Sequence, residues 1–434
     1  VTLRFAMDLR PLRRRDFRLL YTAMTVTSFG SFITYVTIPY QISKMTNDPL
    51  QVGLIGICEL VPLVFMGFIG GAYADYLDRR VLVRGAEVAQ MALTGFLLAN
   101  VAFGTPKLWL LYLVAAVSAA VDGMQRPALE GLTPRLVPPE EIPASSALAS
   151  LRHQFSGLLG PTVAGLLIAA FGAGQGLAWV YGIDLATFAV SLVCLSLMKA
   201  VPPPEMADRP SLSSVATGLK YAWSRPELMG TYLVDINAMA FGMPQALFPF
   251  LADKLGGPAV LGLLYAALSG GSFLATVTSR WTTRVHRHGL AVVVAAGLWG
   301  VGIIVFGFAH SLWLALFGLL LAGAADMVSG IFRSTIWNQT IPDHLRGRLA
   351  GIEMLSYSAG PLLGGVRSGG MARWVGSAGS VVWGGVLCVV GTIALAAALP
   401  KFVAYDGRDG LARKEAEEAE RAALVAASAQ EVAA

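Results

Sequence analysis

Charge is what this chain has least of: Asp, Glu, Lys and Arg together make up 14% of its 434 residues. A soluble domain carries about 25%, so a water-facing globule is excluded. Cysteine is scarcer still. Cys58, Cys194 and Cys388 each stand alone in an apolar run, which leaves them without disulfide or metal spacing and makes them small packing hydrophobes. No nucleotide-binding loop, paired catalytic carboxylates in a soluble domain, or nucleophile–base arrangement is present. The chain is therefore not expected to be an enzyme, to hydrolyse ATP, or to hold a cofactor or metal. Any uphill work must draw on an ion gradient, most simply of protons.

What the chain has instead is apolar length. Hydrophobic residues make up 55% of it, and the mean hydropathy is +0.63. Runs long enough to cross a bilayer as helices fall near 18–40, 50–74, 82–104, 108–128, 144–170, 176–198, 228–251, 259–279, 290–309, 312–332, 348–371 and 377–399. They are numbered spans 1 to 12 here. With the N-terminus inside, 26 of the 32 basic residues lie on the cytoplasmic side, which fixes the topology. Lys44, Lys107, Lys254, Arg367 and Arg373 fall at or near the outside, and Arg152 within span 5. This bias also accounts for the net charge of +5 without nucleic acid as a partner. "LRPLRRRDFRLL" runs straight into span 1, so no cleavable signal peptide is expected.

The chain divides at a polar, proline-containing stretch. The expectation is a six-span bundle over 1–200, a cytoplasmic linker over 201–226, a second six-span bundle over 227–400 and a cytoplasmic tail over 401–434. Ser211 to Trp223 suits a short amphipathic surface helix, and the Ala- and Glu-rich tail a solvated helix or disorder. The halves repeat each other. "SGLLGPTVAGLL" (156–167) in span 5 matches "SYSAGPLLGGV" (356–366) in span 11, so that Ser156, Gly160, Pro161 and Gly165 fall on Ser356, Gly360, Pro361 and Gly365. "VGL" (52–54) in span 2 likewise matches "LGL" (261–263) in span 8. Parallel repeats of this kind enclose a midplane site in transporters.

Between spans 2 and 3, "GGAYADYLDRRVLV" (70–83) sets charges among apolar residues. Gly71, Asp75, Arg79 and Arg80 resemble the helix 2–3 loop pattern of the major facilitator superfamily, with Tyr76 and Asp78 departing from it. The resemblance implies an all-α membrane protein of twelve helices in two six-helix bundles. It also implies a cytoplasmic latch, in which Gly71, Asp75, Asp78, Arg79 and Arg80 work with the start of span 11 near Arg346 and an acid on span 4, either Asp122 or Glu130. Gly157, Gly160, Pro161 and Gly165 resemble the antiporter motif of the exporting branch; they offer a small-residue face and a proline-freed carbonyl that permits bending. "VTIPYQISKMTNDPLQVGL" (36–54), "GLKYAWSRPEL" (218–228) and "LRGRLAG" (345–351) resemble the enterobactin-exporter group of drug:proton antiporters, which also holds macrolide and multidrug exporters.

Ionisable groups within spans cost about 3 kcal/mol each, so they tend to face a cavity and act. Glu59, Asp184, Asp235 and Asp326 lie deepest and are the candidates for proton coupling. Arg152 is placed to neutralise one of them or to bind an anionic substrate, the internal pair being the expectation. Glu87 and Glu353 lie near the inner surface, within reach of water or loop arginines. By helix position in the superfamily, Tyr35, Gln41, Asn237 and Gln245 on spans 1 and 7 are candidate substrate contacts. The reading is a monomeric, proton-coupled exporter of a siderophore or amphipathic drug, in a bacterial-type inner membrane with both termini cytoplasmic. The second reading is a lipid or lysolipid flippase on the same fold.

Overall fold

A chain with this little polar surface must satisfy its backbone internally, and helices do so within one segment. The computed structural model describes residues 8–76, 78–104, 106–200, 220–408, 410–417 and 419, without the side chains of 68, 70–76, 343, 344, 346–348, 350–352, 354 and 355. Among the described residues the structure is helical throughout, with one isolated bridge between Arg287 and Asp406. Nine helices among the described residues are long and apolar enough to cross a membrane.

Two of these are of double length, and each contains two of the sequence's spans. Ile142–Ser196 holds spans 5 and 6, and Asp343–Ala398 holds spans 11 and 12. They turn at Gly172 (φ 74°, ψ 171°) and Gly376 (φ 76°, ψ 166°), a region open in practice only to glycine. Each turn follows its Gly-Pro element, so the repeat extends to the hairpin. Pro161 itself sits in continuous helical backbone, and the chain reverses at Gly172, in the gap expected between spans 5 and 6.

Span 7 is short. Helix Pro226–Gly242 stops before Pro244, and a turn leads into Phe248–Leu255. The helix end exposes carbonyls that need donors. Arg367 supplies them, donating to Ala240 O at 3.4 Å and Phe241 O at 2.5 Å, and also to Ser380 O at 3.0 Å. This arginine, counted at the outside, is an internal clamp joining spans 7, 11 and 12.

The first part of the tail is a helix over 410–417 with mostly exposed side chains, in keeping with a solvated helix, and it is tied to the bundle at several points. Phe402 is fully buried. Gly407 N–H donates to His286 O at 3.1 Å, Arg413 pairs with Glu227 at 3.3 Å, and Glu417 pairs with Arg225. Aromatic burial and these pairs strap residues 400–417 across the ends of spans 7 and 9. Most of the linker, 201–219, lies outside the described residues; 220–223, the end of the expected amphipathic helix, is helical.

Candidate functional site

The two glycine elements found as repeats are the places where the first six spans meet the last six. Span 2 packs on span 11, and span 5 on span 8. A Cβ added to Gly53 would lie 2.5 Å from Gly365 O, and one on Gly165 would lie 2.6 Å from Pro258 O and 3.0 Å from Gly262 N. A Cβ on Gly262 would collide with Pro161 O. Gly53 is the repeat mate of Gly262, and Gly165 of Gly365, so the two crossings are equivalent. Small residues let membrane helices approach closely where no hydrophobic force drives them together. The rest of the span 5 element packs too: Gly157 faces Ser269, and a Cβ on Gly160 would sit 2.7 Å from Phe32 Cβ.

Ion pairs reinforce these crossings at the basic-poor end of the bundle. Lys44 pairs with Asp253 at 2.6 Å, Arg373 donates to Asp48 through Nε at 3.1 Å, and Tyr35 Oη donates to Gln245 Oε1 at 2.6 Å. Each joins the first half to the second. Asp48 lies between helices, and the hydrogen bond from Arg373 holds its carboxyl below the usual carboxylate range. A depressed carboxyl contributes its stabilisation above the unfolded value of about 3.9 and loses it only as pH falls through the lower folded value. Closure at this end should therefore be insensitive to pH between about 5 and 8. A spin label at position 370 tests this: its mobility should match at both pH values, and a change would assign closure to another titrating group.

A cluster of buried charges of both signs lies in the second half. Arg333 at the end of span 10 forms an ion pair with Asp235 on span 7 and reaches Asp326, about two helical turns earlier on its own helix, at 3.7 Å. Asp235 and Arg333 are almost fully enclosed, whereas the Asp326 side chain is 38% accessible. The triad is thus reached from one side, through Asp326. Asp184 is held differently: it accepts from Thr34 at 2.6 Å and Thr94 at 3.1 Å, with Thr187 beside it and no basic partner among the described residues. Gly30 leaves the room this cluster needs. Glu87 is buried, accepting from Thr27 at 2.8 Å and Gln125 at 3.2 Å, rather than meeting water or loop arginines. Glu59 is half-buried on span 2 and within electrostatic reach of Asp122.

Arg152 does not make the internal pair expected of it. No carboxylate among the described residues lies within ion-pair distance, and its buried Nε has no partner. Of the acids expected to take it, Asp235 and Asp326 are held by Arg333 and Asp184 by threonines. Gln41 and Asn237 also face away from the interface between halves. Gln41 accepts from Tyr181 Oη of span 6 at 2.6 Å, and Asn237 donates to Cys388 O at 3.0 Å and Thr392 at 3.2 Å on span 12. Tyr35 and Gln245, joined to each other, stay at that interface.

In the loop motif, Gly71 lies in the helix Pro49–Tyr76, and the side chains of Asp75 and Arg346 lie outside those described. Asp78 caps helix Arg79–Ala102 by accepting from Arg80 N–H at 2.8 Å. Arg79 donates to Gly131 O at 2.6 Å, and Arg80 to Leu195 O at 2.9 Å and Ser196 O at 2.7 Å. These contacts tie the ends of spans 4 and 6 together within the first half. Asp122 accepts from Gln90 of span 3 at 2.9 Å, and Glu130 is exposed beside Arg126.

The sequence reading missed Arg333 and the partners Asp48, Asp253 and Arg126. Arg333 follows directly on the run numbered span 10, and a lone arginine just past an apolar stretch was the available signal.

Residues 6–427 match the family described as transmembrane secretion effector. The chain is similar to the enterobactin exporter EntS of Shigella boydii serotype 18 and to that of Escherichia coli O1:K1 / APEC. Each is 27% identical over 384 residues, covering 87% of this chain and 91% of the relative. Its fold is similar to the nucleoside transporter NupG (TM-score 0.65, 12% identity, 89% of this chain and 100% of that one). It is also similar to a bacterial homologue of the iron transporter ferroportin in an inward-facing state (TM-score 0.66, 15% identity, 90% and 99%). The family and these relatives are transporters, not enzymes, and none of the similarities supports a lipid flippase.

Proposed function

Because this chain belongs to the transmembrane secretion effector family of the major facilitator superfamily, we propose that it is a proton-coupled exporter working by alternating access. Its cargo is a siderophore of the enterobactin kind or a related amphipathic molecule, in line with the relatives' names. In this reading twelve spans form two six-span bundles, 1–200 and 227–400, with both termini cytoplasmic in a bacterial-type inner membrane. The basic-poor end is then the outer face.

The observation that carries the reading is the crossing of the repeats at Gly53–Gly365 and Gly165–Gly262. Equivalent small-residue contacts on either side of a pseudo-twofold axis let two bundles rock without unpacking. The triad supplies the coupling step. A proton entering from the accessible side reaches Asp326, weakens its hold on Arg333 and changes how spans 7 and 10 attract each other. Glu59 and Asp122 form a second acidic pair that a proton can bridge, and Asp75 latches the cytoplasmic side.

Purified protein in proteoliposomes with an imposed pH gradient tests the proposal. Enterobactin should accumulate against its gradient, and nigericin, which collapses the pH difference, should abolish the accumulation. Equal uptake with and without the gradient would remove proton coupling from the account.

A further inference from the structure

Two arginines and a histidine in the first half form a cationic cluster with no acidic partner in contact among the described residues. Arg152 and His153 are adjacent on span 5, and the charges of both Arg152 and Arg126 reach His153. Arg152 lies ten residues into its helix, roughly 15 Å from the start at 1.5 Å per residue, within electrostatic reach of Tyr21. Arg126 on span 4 has Asp122 and Glu130 within electrostatic reach, but neither lies at ion-pair distance. Its contacts cross to the second half, reaching Ser358 Oγ at 3.4 Å and the Tyr357 ring at 5.8 Å.

Rings adjoin the cations. His153 meets Phe32 edge-on at 5.1 Å, Phe32 meets Tyr35 at 6.4 Å, and Tyr35 meets Tyr265 at 6.0 Å. Tyr35 and Tyr357 remain 43% and 41% accessible although both lie in spans. A guanidinium group inside a membrane protein is kept paired or hydrated, because an uncompensated charge is costly there. Arg152 has its Nε sealed from solvent without a partner, so the position suits a guanidinium that receives its counter-charge from elsewhere.

We propose that Arg126, Arg152 and His153, with the rings of Phe32, Tyr35 and Tyr357, form the binding site for an aromatic organic anion. The anionic group lies between the two guanidinium groups, which bind carboxylates and similar oxyanions with directed, charge-assisted hydrogen bonds. The aromatic body lies against the rings. Arg126 connects the site to the transport cycle, since drawing its guanidinium toward the anion loosens the Ser358 contact between halves. The place of the site in a cycle rests on the export reading. Binding itself is measured without transport, so the two fail separately.

The experiment is fluorescence polarisation with the full chain in nanodiscs, using carboxyfluorescein as the anionic aromatic probe and rhodamine 6G as the cationic one. The wild type should bind carboxyfluorescein saturably. Arg152→Gln should weaken that binding by about tenfold or more, the scale of one lost charge-assisted hydrogen bond. Arg152→Lys should weaken it less, and rhodamine 6G binding should change by less than about twofold. Arg126→Gln should give the same selective loss, which keeps the test open if Arg152→Gln does not fold. Unchanged carboxyfluorescein affinity in the folded variants, equal loss for both dyes, or no saturable binding by the wild type would overturn the site. A wild type that binds as expected but fails to accumulate cargo in proteoliposomes would leave the site standing and count against export.

Discussion

Arg333→Gln is expected to lower the folded yield more than any single change to an acid in the triad, and to abolish export by whatever protein survives. The substitution leaves Asp235 and Asp326 facing each other without a cation, and Asp235 is 3% accessible. Removing one partner of a buried pair costs about 3–5 kcal/mol, at least a hundredfold in the ratio of folded to unfolded protein. Asp235→Asn should be milder, because Arg333 keeps Asp326 as a partner at 3.7 Å. The double variant Asp235→Asn with Arg333→Gln should recover most of the yield, since the remaining carboxylate, Asp326, is partly hydrated. It should not recover export, because the charge that responds to Asp326 is gone. Size-exclusion chromatography of the solubilised protein reads the yield, and the proteoliposome assay reads export. Arg333→Gln at wild-type yield would show that the triad does not balance itself.

The pattern of helices was legible because lipid-compatible runs admit little else, and the glycine contacts because close packing needs small residues at both partners. "VGL", "LGL" and the two Gly-Pro elements were legible as repeats, and it is their glycines that form both crossings. Direction around a helix was not legible. A span that is apolar on all sides has no polar stripe to show which face meets which neighbour, so Gln41 and Asn237 read as substrate contacts while they bond to spans 6 and 12. Arg333 was hidden by a boundary: helix Leu312–Thr340 continues past the apolar run that ends at 332. The pairs Lys44–Asp253 and Asp48–Arg373 join residues 209 and 325 positions apart, and a single sequence has no local signature for such partners. The turn at Gly172 falls in the gap left between the apolar runs 144–170 and 176–198, whereas the helix runs on through Pro161.

Fixing the basic-poor end shut should stop export and nothing else. Leu50 and Gly370 face each other there, with a Cβ on Gly370 lying 3.8 Å from Leu50 Cδ1, an ordinary contact that accepts a side chain. The spacing suits a short reducible bis-methanethiosulfonate linker between Leu50→Cys and Gly370→Cys, in a chain whose Cys58, Cys194 and Cys388 are replaced by alanine. The linker holds spans 2 and 11 together beside the Gly53–Gly365 crossing, so the outward-open state cannot form. Carboxyfluorescein binding should survive linking, because the Arg152 cluster lies deeper along span 5. The measurement that bears most directly on alternating access is export by this double-cysteine protein before linking, after linking and after reduction. The account predicts full export, then less than about a tenth of it, then recovery, since a cycle without one of its two states carries no net flux. Full export by protein shown to be linked would contradict it.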